Sequence, residues 1–417
     1  MKVIIIGAGI AAVSAVKAIR RLNRYIDITV YGEEPYYPYK RLRLTKDLAD
    51  GLKAESLLIE KESWYEDNRV ELQRNKKVIR IDPAEHKIYL SDNTTDHYSA
   101  LLLANGAVNN VLPIKGIDKK GVYTLRNLAD ASAILEKAGN AQKALVIGGG
   151  VLGLEISWSL KKLGKDITVV EALPRLMPKQ LDENASRILL DVVQSHGIEV
   201  FTGSQVKEIT GEQDVTGFVT DKNKQRSCDM VIHSTGIKPN IDLVKGTGIH
   251  TNRGILVNER METNIPDIYA AGDIAEYQGS IPGLWSVASL QGEVAGSNIA
   301  GLDRVYQEPA VATVMNAFNY SMFSIGEAEA LNADNFIINE DAAGREYHKV
   351  LFKDGVVTGA VFMGSIKELP AIKKAIEEKL YIPEVYTREL QVSDFLSLLK
   401  EKQARKMLQP VGAALDA

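Results

Sequence analysis

Hydrophobic and polar positions are most clearly ordered in residues 2–34, KVIIIGAGIAAVSAVKAIRRLNRYIDITVYGEE. A short apolar run predicts a buried strand and glycines break it. Apolar positions then recur at helical spacing up to a basic end. A second β-branched run opens at DIT. Residues 143–173, KALVIGGGVLGLEISWSLKKLGKDITVVEAL, pass through the same order about 140 residues later. Each stretch predicts a strand, a glycine turn, a helix and a parallel second strand, a βαβ unit. Past Gly301 the glycine motifs stop. EYHKVLFKDGVVTGAVFMGS predicts a hairpin, because apolar residues alternate on both sides of Asp354-Gly355, a strong two-residue turn. LPAIKKAIEEKL and VSDFLSLLKEKQARKML carry the period of helices.

Composition narrows this picture. A chain of 417 residues predicts two or three domains, and 45% apolar with 25% charged residues is ordinary for a globular protein. No later stretch approaches the roughly 18 uninterrupted apolar residues of a membrane span. A net charge of −4 argues against a general nucleic-acid binder. Cys228 is the only cysteine, which excludes an intrachain disulfide, a CxxC pair and any multi-cysteine cluster; it reads as a packed small residue. The six histidines lie far apart without metal-binding spacing, so no metal is expected. The opening MKVIII also has the outline of a secretory leader. A single lysine and interrupting glycines make a poor one, and the internal copy cannot be one, so a retained segment and a cytoplasmic protein are expected.

The glycines carry the chemistry. Gly7 and Gly148 suit the tight strand-to-helix turn, while Gly9 and Gly150 let the backbone approach a pyrophosphate seated on the helix N-terminus. The third position brings helix close to strand; Ala12 fills it in the first copy and Gly153 in the second, and the fingerprint accepts either. An acid should end the second strand to bind a ribose hydroxyl pair. Glu171 does so directly after ITVV. In the first copy Gly32 takes that place, which makes Glu33 the candidate and leaves Glu34 open. The fold class expected is α/β, two Rossmann-like βαβ dinucleotide-binding domains plus a smaller C-terminal α+β domain.

Further landmarks follow in order. ALLLANGA (100–107) resembles the strand and ATG turn of the two-dinucleotide-domain flavoproteins, the pyridine nucleotide-disulfide oxidoreductase family, with Asn105 for the usual Thr and with Ala104 and Gly106 beside the cofactor. VIHSTGIKPN (231–240), with Gly236, resembles the second such turn. TNIPDIYAAGDIAEY (263–277) resembles the motif whose Gly272 and Asp273 hold the flavin ribitol. The resemblance implies a glutathione-reductase-like chain: FAD in 1–112 and 242–304, NADH in 113–241, and a C-terminal interface domain with a helical tail in 305–417.

Within that family, PYYPYKRLRLTKDL (35–48) carries Thr45 and Lys46 where relatives carry a redox cysteine. This is similar to rubredoxin- and ferredoxin-reductase-like members, with Arg41 and Lys46 matching them and Arg43 an additional base. NRGILVNERMETNIPDIYAAGDIAEYQGSIPGLWSVASLQGEVAGSNIAG is similar to NADH:rubredoxin oxidoreductases and to the flavoprotein part of NADH nitrite reductases. The resemblance implies a hydride passing from NADH to FAD and electrons leaving to rubredoxin or a similar small iron carrier. Lys46 would lie at the flavin edge and pair with Glu155, on the first turn of the NAD-domain helix, to orient the nicotinamide. The segment after Trp285, itself a cofactor-binding candidate, predicts a helix aimed at the flavin, with Ser286 as its cap. Glu171 favours NADH over NADPH, and Arg175 is placed to offset that. The C-terminal domain builds a dimer interface in disulfide-reductase relatives, so a monomer or a homodimer is expected. Two alternatives stand beside this reading: a peroxide-forming NADH oxidase or diaphorase, and a non-catalytic flavin-binding sensor or assembly subunit.

Overall fold

The computed structural model describes residues 1–329, 332–341 and 344–408. They divide into two compact units. The first comprises residues 1–112, 124–135 and 235–308, the second 113–123, 136–234 and 309–417. Of the helical tail expected from about residue 383, 409–417 lie outside the described residues.

In the first unit β1 (Lys2–Ile6) leads through the glycine turn into α1 (Ile10–Leu22) and β2 (Asp27–Tyr31). β1 pairs in parallel with β2 and with Ala100–Leu103, and the flanking strands Ile268–Ala270 and Val70–Gln73 complete a five-stranded parallel sheet. Val3, Ile4, Ile5 and Ile6 are all buried, because a parallel sheet is covered on both faces. Each such side chain stabilises the fold by about 1.5–3 kcal/mol. Ile4 and Ile6 join Leu101, Leu103 and the strand residues Ile81, Ile88 and Leu90 in one core.

A long helix, Trp285–Ile299, packs along α1. Its approach is set by Gly292 and Gly296, where a Cβ would stand 2.1 and 2.4 Å from the carbonyl oxygens of Ala11 and Ala15. Only glycine permits that spacing. The helix does not begin as expected: Ala288 N–H bonds the Leu284 carbonyl at 2.9 Å, so Leu284 is the N-cap and Ser286 lies inside the first turn. No side chain caps this end.

In the second unit β3 (Lys143–Ile147), α2 (Val151–Lys162) and β4 (Asp166–Val170) repeat the first arrangement. β3 is central to a second five-stranded parallel sheet, between β4 and Met230–His233. α3 (Glu183–Ser195) follows, N-capped by Asp182. The C-terminal part of this unit is a five-stranded antiparallel sheet with Val356–Met363 at its centre, paired with Tyr347–Lys353 on one side. Asp354 and Gly355 turn it with φ of +51° and +73°, the hairpin geometry that the residue pair predicts. Helices Leu369–Glu377 and Val392–Leu408 cover the sheet, with Ile372, Phe395 and Leu399 packed on Val350, Phe352 and Phe362.

A second tight turn in this sheet has a turn-forming residue, Asn319, at only one of its two positions. Phe318 and Asn319 adopt φ of +60° and +53°, although left-handed backbone disfavours a bulky aromatic residue. The Phe318 ring is buried against Trp158 of α2 and His196 after α3, with centroids 5.3 and 5.8 Å away. Burial of the ring offsets the strained backbone. A polar contact joins the same parts: Asp182 caps the Ala185 amide at 3.0 Å and accepts from Tyr347 Oη at 2.8 Å and Lys349 Nζ at 2.7 Å. All three side chains are buried.

Candidate functional sites at the two glycine turns

The first turn is built around Gly7. Its φ is +105°, its amide bonds the Tyr31 carbonyl at 2.8 Å, and a Cβ would stand 2.2 Å from the Ala104 carbonyl oxygen. Glycine is obligatory here, and the turn thereby abuts the Ala104–Gly106 turn. Gly9 is the N-cap of α1, and a side chain there would meet no protein atom within 4 Å. No side chain caps α1 and no acid sits in its first turn. Its leading amides and the positive end of its dipole are therefore directed at open space, the arrangement that binds a phosphate. Ala12 is fully buried behind them.

Around this turn the structure joins several residues of the sequence reading through one that the reading missed, Arg126. Its Nη2 donates to Asp273 Oδ2 at 2.9 Å and its Nε to the Ala107 carbonyl at 3.1 Å. Arg41 donates to the Arg126 carbonyl at 3.0 Å and to Tyr39 Oη at 3.1 Å, and is ion-paired with Glu34. Tyr39 in turn donates to Glu34 at 2.7 Å. Arg126 is held in place by the capping box that follows it. Asn127 accepts from the Asp130 amide at 2.8 Å, while Asp130 accepts from the amides of Arg126 and Asn127 at 2.7 and 3.2 Å. NLAD announces that helix start in the sequence, but nothing local signals that the preceding arginine reaches Asp273.

Gly272, at φ +85°, donates its amide to the buried Gln291 side chain at 2.9 Å and sets the backbone beside Asp273. Gly106, at φ +67°, lies against the Arg126 guanidinium. Asn105 donates to the Asn240 carbonyl at 2.9 Å, leaving its Oδ1 buried with no hydrogen-bond partner. The two acids after β2 separate. Glu33 is exposed and paired with Lys77 at 2.6 Å, whereas Glu34 belongs to the Arg41–Tyr39 network. Lys46 and Trp285 are half-buried in the same unit. An open helix end, a close-approach glycine and an orphaned acceptor fit a dinucleotide with a polar chain running toward Asp273.

The second turn repeats the construction with one difference. Gly148 has φ +114°, bonds the Val170 carbonyl at 2.9 Å, and would place a Cβ 2.3 Å from the Ser234 carbonyl oxygen. Gly150 is again an uncapped N-cap with open space beyond it. At Gly153 a Cβ would stand 2.0 Å from the Gly148 carbonyl oxygen, so this copy excludes the alanine that the first one carries. Glu171 is held over the turn, accepting from the Gly149 amide at 2.6 Å and the Leu173 amide at 2.8 Å. Gly236, at φ +89°, falls in the first unit, and a Cβ there would meet nothing within 4 Å. Glu155 is buried and opens the second turn of α2, one turn deeper than expected.

Cys228 is buried, and desolvation, with a smaller contribution from Asp229, pushes its thiol up to about 12. It is no nucleophile. Among the described residues no cluster of histidine, cysteine and carboxylate side chains suits a metal, and no helix is long and apolar enough to cross a membrane.

Comparison with known proteins gives these two turns a context. Residues 1–292 match the model of the pyridine nucleotide-disulphide oxidoreductases, and residues 312–380 match the rubredoxin NAD+ reductase C-terminal domain. The nitrite reductase [NAD(P)H] of Bacillus subtilis is 32% identical over 92% of this chain, which spans about half (48%) of that relative's length. The NADH-rubredoxin oxidoreductase of Clostridium acetobutylicum is 33% identical, covering 90% of this chain and 94% of its own. The solved structure of the clostridial NADH:rubredoxin oxidoreductase superposes with a TM-score of 0.80 at 31% identity, over 95% of this chain and 99% of that one.

Proposed function

Because this chain belongs to the pyridine nucleotide-disulphide oxidoreductase family, we propose that it is an FAD-dependent NADH oxidoreductase whose electrons leave to a small iron carrier such as rubredoxin. The observation that carries this reading is the pair of open glycine turns in a chain whose only cysteine is buried and protonated. Two dinucleotides are accommodated, and this chain offers no thiol to relay electrons between the flavin and an acceptor. FAD, when bound, supplies the conversion of a two-electron hydride into single electrons.

The chain's own residues supply positioning. Gly7, Gly9 and Ala12 shape the floor on which the α1 amides hold the FAD pyrophosphate. Arg41 and Arg126 bring two guanidinium groups toward it, and Asp273 accepts from the ribitol. Gly148, Gly150 and Gly153 do the same for NADH on α2, where the Glu171 carboxylate accepts from the ribose hydroxyls and repels a 2′-phosphate. Lys46 and Glu155 complete the reading as a pair that orients the nicotinamide amide. Lys46→Met removes the cation on which that orientation depends and keeps a side chain of similar length.

The test is anaerobic. The flavin-loaded protein is mixed rapidly with NADH, the flavin absorbance is followed, and rubredoxin, ferredoxin, oxygen and a quinone are offered separately. Rubredoxin or a related iron carrier should be reduced fastest. If no acceptor is reduced faster than by free flavin, the carrier reading fails; if oxygen wins, the protein is an NADH oxidase. Lys46→Met should slow flavin reduction by NADH at least tenfold, and an unchanged rate removes Lys46 from the chemistry.

A further inference from the structure

The loop after β4 carries two groups with opposite preferences. Glu171 favours a free ribose diol, whereas an arginine close behind the strand-end acid is the usual receptor for the 2′-phosphate of NADPH. Arg175 is such an arginine. Its loop is pinned at both ends: Glu171 N–H bonds the Phe201 carbonyl at 2.8 Å, Gly203 N–H bonds Leu173 at 2.7 Å, and Met177 N–H bonds Gly149 at 3.1 Å. Leu176, next to Arg175, is fully buried against Gly149. The backbone therefore holds Arg175 at the edge of the nucleotide turn.

Its guanidinium is nonetheless occupied. Nη2 is ion-paired with Glu329 and reaches the Pro178 carbonyl at 3.4 Å, while Nε is buried without a partner. Glu329 follows the strand Tyr320–Gly326 of the C-terminal sheet, so the carboxylate comes from the other part of the same unit. The two carboxylates near this turn have separate partners: Glu171 accepts from the Gly149 and Leu173 amides, and Glu329 holds the Arg175 guanidinium. A guanidinium already paired with a carboxylate is a poor receptor for a dianionic 2′-phosphate, while an uncharged diol is unaffected.

We propose that Glu329 is a positioning residue for cofactor choice: by holding Arg175, it denies NADPH the one guanidinium in this loop and so keeps the site selective for NADH. The assignment rests on the NADH reading of Glu171. It gives the C-terminal domain a part in nucleotide selection that does not require it to touch the nucleotide. Both partners are partly exposed, with 29% and 41% of their side-chain surface accessible, so the pair is screened and its effect is moderate.

The flavin-loaded wild type, E329Q and E329Q/R175Q are compared in two ways. Equilibrium binding of 2′,5′-ADP and of 5′-AMP is measured by calorimetry, and flavin reduction by NADPH and NADH is measured at single turnover. E329Q should bind 2′,5′-ADP roughly three- to fivefold tighter, the upper range for one partly exposed charge pair, with 5′-AMP changed less than twofold. The NADPH-to-NADH ratio should rise to match, and R175Q in the E329Q background should return it to the wild-type value. An unchanged 2′,5′-ADP affinity in E329Q overturns the proposal. So does an equal loss for both nucleotides, which marks a purely structural role, or a gain that survives R175Q. A wild type that already prefers NADPH overturns the reading of Glu171 instead, and the two failures are thus told apart.

Discussion

The two βαβ copies use one local plan and are supported in different ways. In the first copy, support comes from backbone against backbone: Gly292 and Gly296 bring the helix Trp285–Ile299 onto α1 at Ala11 and Ala15. The third motif position can then be Ala12. In the second copy, α2 presses onto its own turn through Gly153, and support comes from side chains of the C-terminal sheet. Phe318 packs on Trp158, and Tyr347 and Lys349 bond Asp182. The fingerprint therefore specifies the turn, while the fit of each helix on its own turn decides how much room the third position has. The strand-end acid differs in the same sense. Glu171 closes over Gly149 in the second copy, whereas Gly32 occupies that place in the first, where a Cβ would stand 3.0 Å from the Ala8 methyl.

The largest effect should follow from breaking the side-chain support of the second copy. Lys349→Met leaves the Asp182 carboxylate buried without its cation, a change that costs about 3–5 kcal/mol. Denaturant unfolding should show that loss, and a loss below 1 kcal/mol would mean that Tyr347 and the helix cap suffice. The pair also sets a pH dependence. Burial alone would raise the Asp182 pKa, but Lys349, the Ala185 amide and Tyr347 outweigh it and hold the carboxyl below its ordinary value. A depressed carboxyl stabilises the fold above its unfolded pKa, about 3.9, and loses that contribution as pH falls through the lower folded value. The stability gap between wild type and Asp182→Asn should accordingly be full at neutral pH and narrow only below about pH 4. Asparagine still caps α3. A gap that instead narrows between about pH 5 and 7 would assign the effect to another group.

Overfilling either glycine contact comes next. Gly153→Ala sets a methyl 2.0 Å from the Gly148 carbonyl oxygen, and Gly292→Ala sets one 2.1 Å from that of Ala11. Neither obstacle is a flexible side-chain end, so a helix must move, at about 1–3 kcal/mol. The comparison predicts a division of function. Gly153→Ala should weaken NADH binding about tenfold while FAD stays bound, and Gly292→Ala should loosen FAD while leaving NADH affinity intact. Flavin release on gel filtration and NADH titration of the flavin-loaded protein separate the two. Loss of both cofactors in both variants would mean that the copies do not respond independently.

Much of this was legible in the sequence because it is local. The glycine turns, the repeat, the Asp354-Gly355 hairpin and the C-terminal helices depend on residues within a few positions of one another. What was not legible depends on distant partners. Phe318 forms a left-handed turn that its own chemistry opposes, and only the burial against Trp158 accounts for it. The Arg126 guanidinium is fixed by Asp273, 147 residues away, and that of Arg175 by Glu329, 154 residues away. Ser286 has the chemistry of a cap, yet the helix begins a residue before it. Glu33 and Glu34 are adjacent in sequence, and only their partners, Lys77 and Arg41, distinguish them.

The smallest expected effect is the most direct check of the comparison, because it gives the first copy the residue of the second. Ala12→Gly removes one buried methyl and adds backbone freedom in the first turn of α1, together costing about 1–2 kcal/mol. The turn geometry does not depend on that methyl: Gly7 and Gly9 remain, and α1 stays pressed against Gly292 and Gly296. The variant should therefore retain FAD stoichiometrically, with a lower unfolding midpoint and an unchanged flavin spectrum. If FAD affinity falls tenfold or more, the methyl itself shapes the pyrophosphate floor. Ala12 would then be a requirement of this copy rather than a residue that its turn merely accepts.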